Sequence, residues 1–197
     1  MEDSDMHLLS RVLVAVGIVG SVALPAEAAE GPRADIAGGY SLIYDHDIKT
    51  TFPAGWFASA AANVTDFFVI AGEVSGHYKS ESAAAGVSAA STSLRVHTYL
   101  AGPRFVSGTG AARFFVELLA GGATTSAGVN VTSGVGSASS SGSETDFCYM
   151  PGVGLDIGFN RETAMRIGAG ERFIRVNGNN TSKQFQFVAG LVIRFEK

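Results

Sequence analysis

Charge and cysteine are both scarce in this 197-residue chain, and each shortage excludes something. Only 16% of residues are charged against 46% hydrophobic. Intrinsic disorder needs the reverse balance, so the chain is expected to fold. The 14 Lys+Arg fall short of the 18 Asp+Glu, and a net charge of −4 leaves no basic footprint for nucleic acid. Cys148 stands alone, so no internal disulfide and no cysteine-based zinc cluster can form. No metal or cofactor site is expected. Glycine, by contrast, is abundant, at 25 residues about twice its usual share, yet without a G-X-Y period. The length suits one domain with a sizeable core.

The one long apolar run, Val12–Leu24 (VLVAVGIVGSVAL), is uncharged. It is shorter than the ~20 residues a membrane-crossing helix needs. Pro25 ends it, and Ala26-Glu27-Ala28 places small residues where a signal peptidase reads. The layout predicts a secretory signal peptide over 1–28, cut after Ala28, and one domain over 29–197. Glu2, Asp3 and Asp5 outnumber Arg11 in a region that is normally positive, and initiation at Met6 would remove all three. A buried helix of a cytosolic protein is the alternative to a leader.

Beyond the leader the dominant period is two, the mark of strands with two unlike faces. In 184–195, Phe185, Phe187, Ala189, Leu191, Ile193 and Phe195 alternate with Gln184, Gln186, Val188, Gly190, Val192 and Arg194. The same alternation covers 35–44, 55–63, 68–78, 94–102, 113–122, 146–158 and 164–176, which makes eight strands. In 94–102, Arg95, His97 and Tyr99 share one face and Leu94, Val96, Thr98 and Leu100 the other. Segments 45–54, 79–93, 123–145 and 177–183 read as long loops; 63–67, 107–112 and 159–163 are short. Long and short alternate strictly, so one rim carries loops and the other tight turns, as in barrels of the bacterial outer membrane.

A closed sheet satisfies every backbone group and has no edge, which is what hydrocarbon demands. The expected fold is all-β, a closed antiparallel up-and-down eight-stranded transmembrane β-barrel. Eight strands leave room inside for side chains only. Strand glycines such as Gly39, Gly121 and Gly190 permit tight curvature. The FxFxAxLxIxF ending at Phe185–Phe195, the loop asymmetry and the Tyr99–Phe105 stretch (YLAGPRF) carry a resemblance over 34–195. The chain resembles the small eight-stranded OmpA-like outer-membrane barrel family. The resemblance implies a bacterial outer-membrane location, with outer-membrane lipid and the barrel-assembly machinery as partners. It also implies that Phe195 is the terminal aromatic assembly signal, although Glu196 and Lys197 follow it. No further domain is expected after the barrel.

The strand phase points Asp35, Glu73, His77, Arg95, His97, Glu117, Asp156, Arg166, Arg172 and Arg194 into the barrel. Asp156 and Arg166 flank a hairpin centred on Arg161, so they should face each other, with Arg194 and Asp35 nearby. An ion-pair network that plugs the interior is the leading reading, because an unpaired buried charge costs several kcal/mol. A proton or ion path is the sharper one. Glu73, Ser75 and His77 share a face at spacings of two, about 6.6–7 Å, which is beyond hydrogen-bond reach. Only a neighbour such as His97 could complete a triad for a lipid-modifying hydrolase, and a non-enzymatic role is preferred. Loop 123–145, nearly uncharged and rich in Ser, Gly and Thr, is either mobile or a protruding hairpin suited to adhesion. Glu171 falls on the lipid face unless a bulge at Gly170 shifts the phase, and Pro103 leaves Arg104 in the same doubt. Alternation does not say which face is inside. An exported soluble lipocalin-like ligand-binding barrel is therefore the rival fold.

Overall fold

The computed structural model describes residues 34–85, 88–108, 111–133, 136–176 and 180–195. The expected leader, its cleavage site at Ala28, and Glu196 and Lys197 lie outside them. The described residues form β1 (Ala34–Asp45), β2 (Thr50–Phe52), β3 (Ala54–Asn63), β4 (Phe68–Ala85) and β5 (Ser88–Ser107). There follow β6 (Ala112–Ser133), β7 (Gly136–Gly158), β8 (Thr163–Val176) and β9 (Asn180–Phe195). From β3 to β9 each strand pairs antiparallel with the next, and β1 pairs with both β3 and β9. The β1–β9 seam runs from Ala34↔Phe195 to Asp45↔Gln184 and closes the sheet.

Nine segments make eight barrel strands because β2 continues β3 past Pro53, which has no N–H for the ladder. Phe52 pairs with Ile43 and Trp56 with Tyr40, so three residues on this strand oppose two on β1. That bulge switches the phase. Phe57, Ser59 and Ala61 are buried below it, and Phe52 is buried above it. The segment 45–54, expected as a loop, thus contains a short strand.

Two further expected loops are strands. The β4–β5 ladder continues to Ala85↔Ser88 and the β6–β7 ladder to Ser133↔Gly136, each in unbroken register. Ser, Gly and Ala favour strands poorly, but pairs already aligned in the barrel wall extend the ladder outward. The upper part of β7, from Gly136 to Thr145, is exposed on both faces. At the opposite rim the turns are held by side chains. Asn160 Oδ1 accepts from the Glu162 and Thr163 amides (2.9 and 2.7 Å), and Thr65 Oγ1 accepts from the Phe68 amide (3.0 Å).

The wall is apolar outside and polar within. On β4 the outward positions are Phe68, Ile70, Gly72, Val74, Gly76 and Tyr78, all uncharged. Those ten steps span about 33 Å along the strand, or about 25 Å of height at the usual tilt. Phe105, Phe114 and Phe195 are exposed near the lower rim; Trp56, Tyr78 and Phe147 are exposed higher up. Such aromatic girdles mark the edges of an apolar band.

Tight curvature requires glycine at one seam above all. Gly39 and Gly190 are opposed across β1–β9, and both point inward. A Cβ on Gly39 would lie 2.3 Å from the Ala189 carbonyl oxygen, and one on Gly190 would lie 2.4 Å from that of Gly38. No side chain fits there.

Candidate functional site: the packed barrel interior

Alternating strand positions deliver charged side chains from most of the wall into one interior, where they sort into layers. In the lowest, Arg166 on β8 is central and 2% exposed. Its Nε donates to Asp156 Oδ1 (2.8 Å) and its Nη2 to Asp156 Oδ2 (3.0 Å). The same Nη2 reaches Asp35 Oδ1 (3.2 Å), and Nη1 donates to Ser59 Oγ (3.1 Å). Arg194, opposite Asp35 in register, brings Nη2 to 4.0 Å from Asp156 Oδ2. Arg113, opposite Asp156, is buried in the same layer.

One level up, Arg104 grips Glu117 through Nε (2.8 Å) and Nη2 (2.7 Å). The Phe115 ring lies 4.5 Å from the Arg104 guanidinium and 5.0 Å from that of Arg166. It thereby separates two like charges with a surface that attracts both.

The middle layer centres on Arg172, which is fully buried. Its Nη2 donates to Ser75 Oγ and Gln186 Oε1, both at 2.7 Å, and lies 3.9 Å from Glu73 Oε1. Gln186 Nε2 donates to Glu73 Oε1 (3.1 Å) and Ser41 Oγ (3.0 Å). Ser41 Oγ also shares a 2.8 Å hydrogen bond with His77 Nε2. Ile43, Phe52 and Val96 form an apolar cluster above.

The interior void bounded by Glu73, Arg104, Phe115, Glu117 and Met150 holds about 10 Å³, roughly one water. The arrangement can pair charges and stiffen a wall; it leaves no continuous aqueous lumen there. Among the described residues no group of His, Cys, Asp and Glu is placed to hold a metal.

Asp35, Glu73, Glu117, Asp156, Arg166 and Arg194 all lie inside, as do His77 and Arg172. Arg95 and His97 do not. Val96, Thr98, Leu100 and Arg104 are the buried positions of β5, so the expected phase of this strand is reversed along its length. Arg95 is exposed, and His97 bonds the Tyr78 hydroxyl on the outer face (3.1 Å). The physical reason is height. Arg95 sits beside Tyr78 at the upper girdle, where an outward charge costs little, whereas Arg104 lies low in the wall and must turn in to reach Glu117.

Strand β8 keeps register on both sides, from Gly158↔Ala164 to Phe147↔Arg175 and from Thr163↔Ile193 to Val176↔Asn180. No bulge forms at Gly170. Glu171 stays on the outer face, paired with Phe185 near the upper rim.

Glu73, Ser75 and His77 each bond partners on other strands. Ser75 Oγ is engaged by Arg172 and by Thr98 Oγ1 (2.7 Å), and His77 by Ser41. Arg104, Arg113, Gln186, Ser41 and Ser59 were missed as site residues. The glutamines were legible as polar positions on the charged face of the last strand.

No protein-family profile and no curated protein matches the chain. Its shape does have counterparts. Ail, the attachment invasion locus protein of Yersinia pestis, in complex with the heparin analogue sucrose octasulfate, aligns at TM-score 0.58. That alignment has 15% identity and covers 84% of this chain and 99% of Ail. A second structure of Ail aligns at TM-score 0.55 with 14% identity and the same coverage. The fold is that of the small, OmpA-like eight-stranded outer-membrane barrels. Within that fold, the neutral outer band and charged interior found here decide the face polarity against the lipocalin arrangement.

Proposed function

We propose that the chain is a non-enzymatic integral outer-membrane β-barrel whose role is structural or surface-interacting. The observation that carries this reading is the contrast between a band of exposed Ile, Val, Leu and aromatic side chains and an interior filled by Arg–carboxylate pairs. A soluble domain would leave that band in water at high cost. Residues 1–28 serve as the export signal, cut after Ala28. Phe195, exposed on the outer face at the end of β9, is the aromatic read by the barrel-assembly machinery. The β4–β5 and β6–β7 hairpins stand clear of the band and are the surfaces offered to partners. The β6–β7 hairpin carries Glu144 and Asp146 and no Lys or Arg from 123 to 146. Polyanions of the kind bound to Ail are therefore poor candidates for it.

The test is membrane fractionation followed by gel migration with and without heating. An outer-membrane band that shifts on boiling is expected; a detergent-free soluble monomer would overturn the proposal. The non-enzymatic part has its own readout, since the mass spectrum of lipid A from expressing cells should be unchanged.

A further inference from the structure

Above the apolar band β5, β6 and β7 continue in register as one sheet, and its two faces differ. Residues 88–95, 123–133 and 136–146 hold three charges, on Arg95, Glu144 and Asp146. Glu144 and Asp146 line the hollow at the barrel mouth together with Asp45. Arg95 stands on the opposite, outward face.

That outward face is concave. A groove of about 530 Å³ crosses the three strands, within the size range of ligand sites. In its lowest row Arg95 is opposite Ser126, and Ser126 is opposite Ser143. Ser93, Gly128 and Ser141 make the next row, with Asn130 and Ser139 above. Gly128 leaves the middle of the groove open, since a Cβ there would lie 3.0 Å from Ser93 Oγ.

The charge of the groove is as specific as its shape. Arg95 is exposed and is the one charged side chain lining it. Its guanidinium has no hydrogen-bond or carboxylate partner among the described residues. Its other in-register neighbour is Tyr78 of the upper girdle, so the groove begins where the apolar band ends. A guanidinium grips a phosphate through paired N–H donors. Serine hydroxyls and an asparagine amide both donate and accept, as the hydroxyls of a sugar ring require.

We propose that this groove holds the phosphorylated sugar headgroup of an outer-leaflet lipid. Arg95 takes the phosphate, the serine and Asn130 side chains take the ring, and the acyl chains run down the wall past the exposed Tyr99. No carboxylate lines the groove to repel the anion. One guanidinium answers one anionic group, so a polyanion gains little. The proposal rests on the outer-membrane reading above and names the lipid chemistry that this face takes.

The full chain folded in lauryldimethylamine oxide micelles would be titrated by calorimetry with lipid A, dephosphorylated lipid A and phosphatidylglycerol. Lipid A should bind saturably, and the other two at least roughly tenfold more weakly. Salt should weaken lipid A binding. R95Q should weaken it about threefold to tenfold. G128F, which fills the groove, should abolish it while the heat-modifiable gel shift persists. E144Q, on the other face, should bind as the parent does. Equal uptake of phosphatidylglycerol or of the dephosphorylated form, or binding unchanged in R95Q or G128F, would overturn the proposal. Membrane fractionation tests the outer-membrane reading separately, so a barrel found in the outer membrane that fails these titrations refutes the headgroup site alone.

Discussion

Arg166 on β8 and Asp156 on β7 stand directly opposite in register and join through two hydrogen bonds, of 2.8 and 3.0 Å. This fork also draws in Asp35 from β1, so one guanidinium links the sixth and seventh barrel strands, β7 and β8, to the first. The closing seam is thereby cross-braced from inside.

Removing that guanidinium strands two buried carboxylates. Arg166→Met should destabilise the barrel by about 3–5 kcal/mol, while Arg166→Lys, which keeps the charge but loses the fork, should cost less. Urea midpoints of the folded gel band, compared with the parent, check both.

Arg104 and Glu117 form a more isolated pair. Arg104→Met or Glu117→Leu alone leaves one buried charge and should each cost about 3 kcal/mol or more. The double variant should recover most of that loss, because both charges disappear together. A double-mutant cycle in urea reads the coupling, and simple additivity of the two losses would contradict the pairing.

Gly39 faces the Ala189 carbonyl at a distance that no Cβ tolerates. Gly39→Val should hinder closure of the β1–β9 seam and lower the yield of heat-modifiable barrel. Gly142→Val, at a position with nothing within 4 Å of a Cβ, should leave folding yield unchanged. Refolding of both into detergent, followed on gels, compares them.

A void of about 10 Å³ between the charge layers passes no hydrated ion. Planar bilayers containing the purified protein should show conductance indistinguishable from bare lipid. Discrete openings would mean that the Arg104–Glu117 and Arg172–Glu73 layers move apart.

The upper β6–β7 hairpin packs little of itself against the barrel. Replacing 128–141 by a two-residue turn should preserve heat-modifiability and the urea midpoint within about 0.5 kcal/mol. Any partner binding by the cell surface should fall with it.

Period-two patterning by itself determined the eight-strand count and the phase of most strands. It did so because each side chain's face follows from its parity once one face must be apolar. The Asp156–Arg166 contact was legible for the same reason, since a short hairpin sets its register locally. What the tertiary structure alone decided depends on height and on distant neighbours. Both faces of β5 alternate acceptably, and only the position of Arg104 across from Glu117, with Arg95 up at the girdle, chooses between them. The bulge at Pro53 and the strand character of the Ser-rich hairpins are likewise imposed by ladders already registered in the wall. Face polarity was the largest such decision. Alternation is symmetric under exchange of inside and outside, and only the closed ring brings Asp35, Asp156, Arg166 and Arg194 within reach of one another.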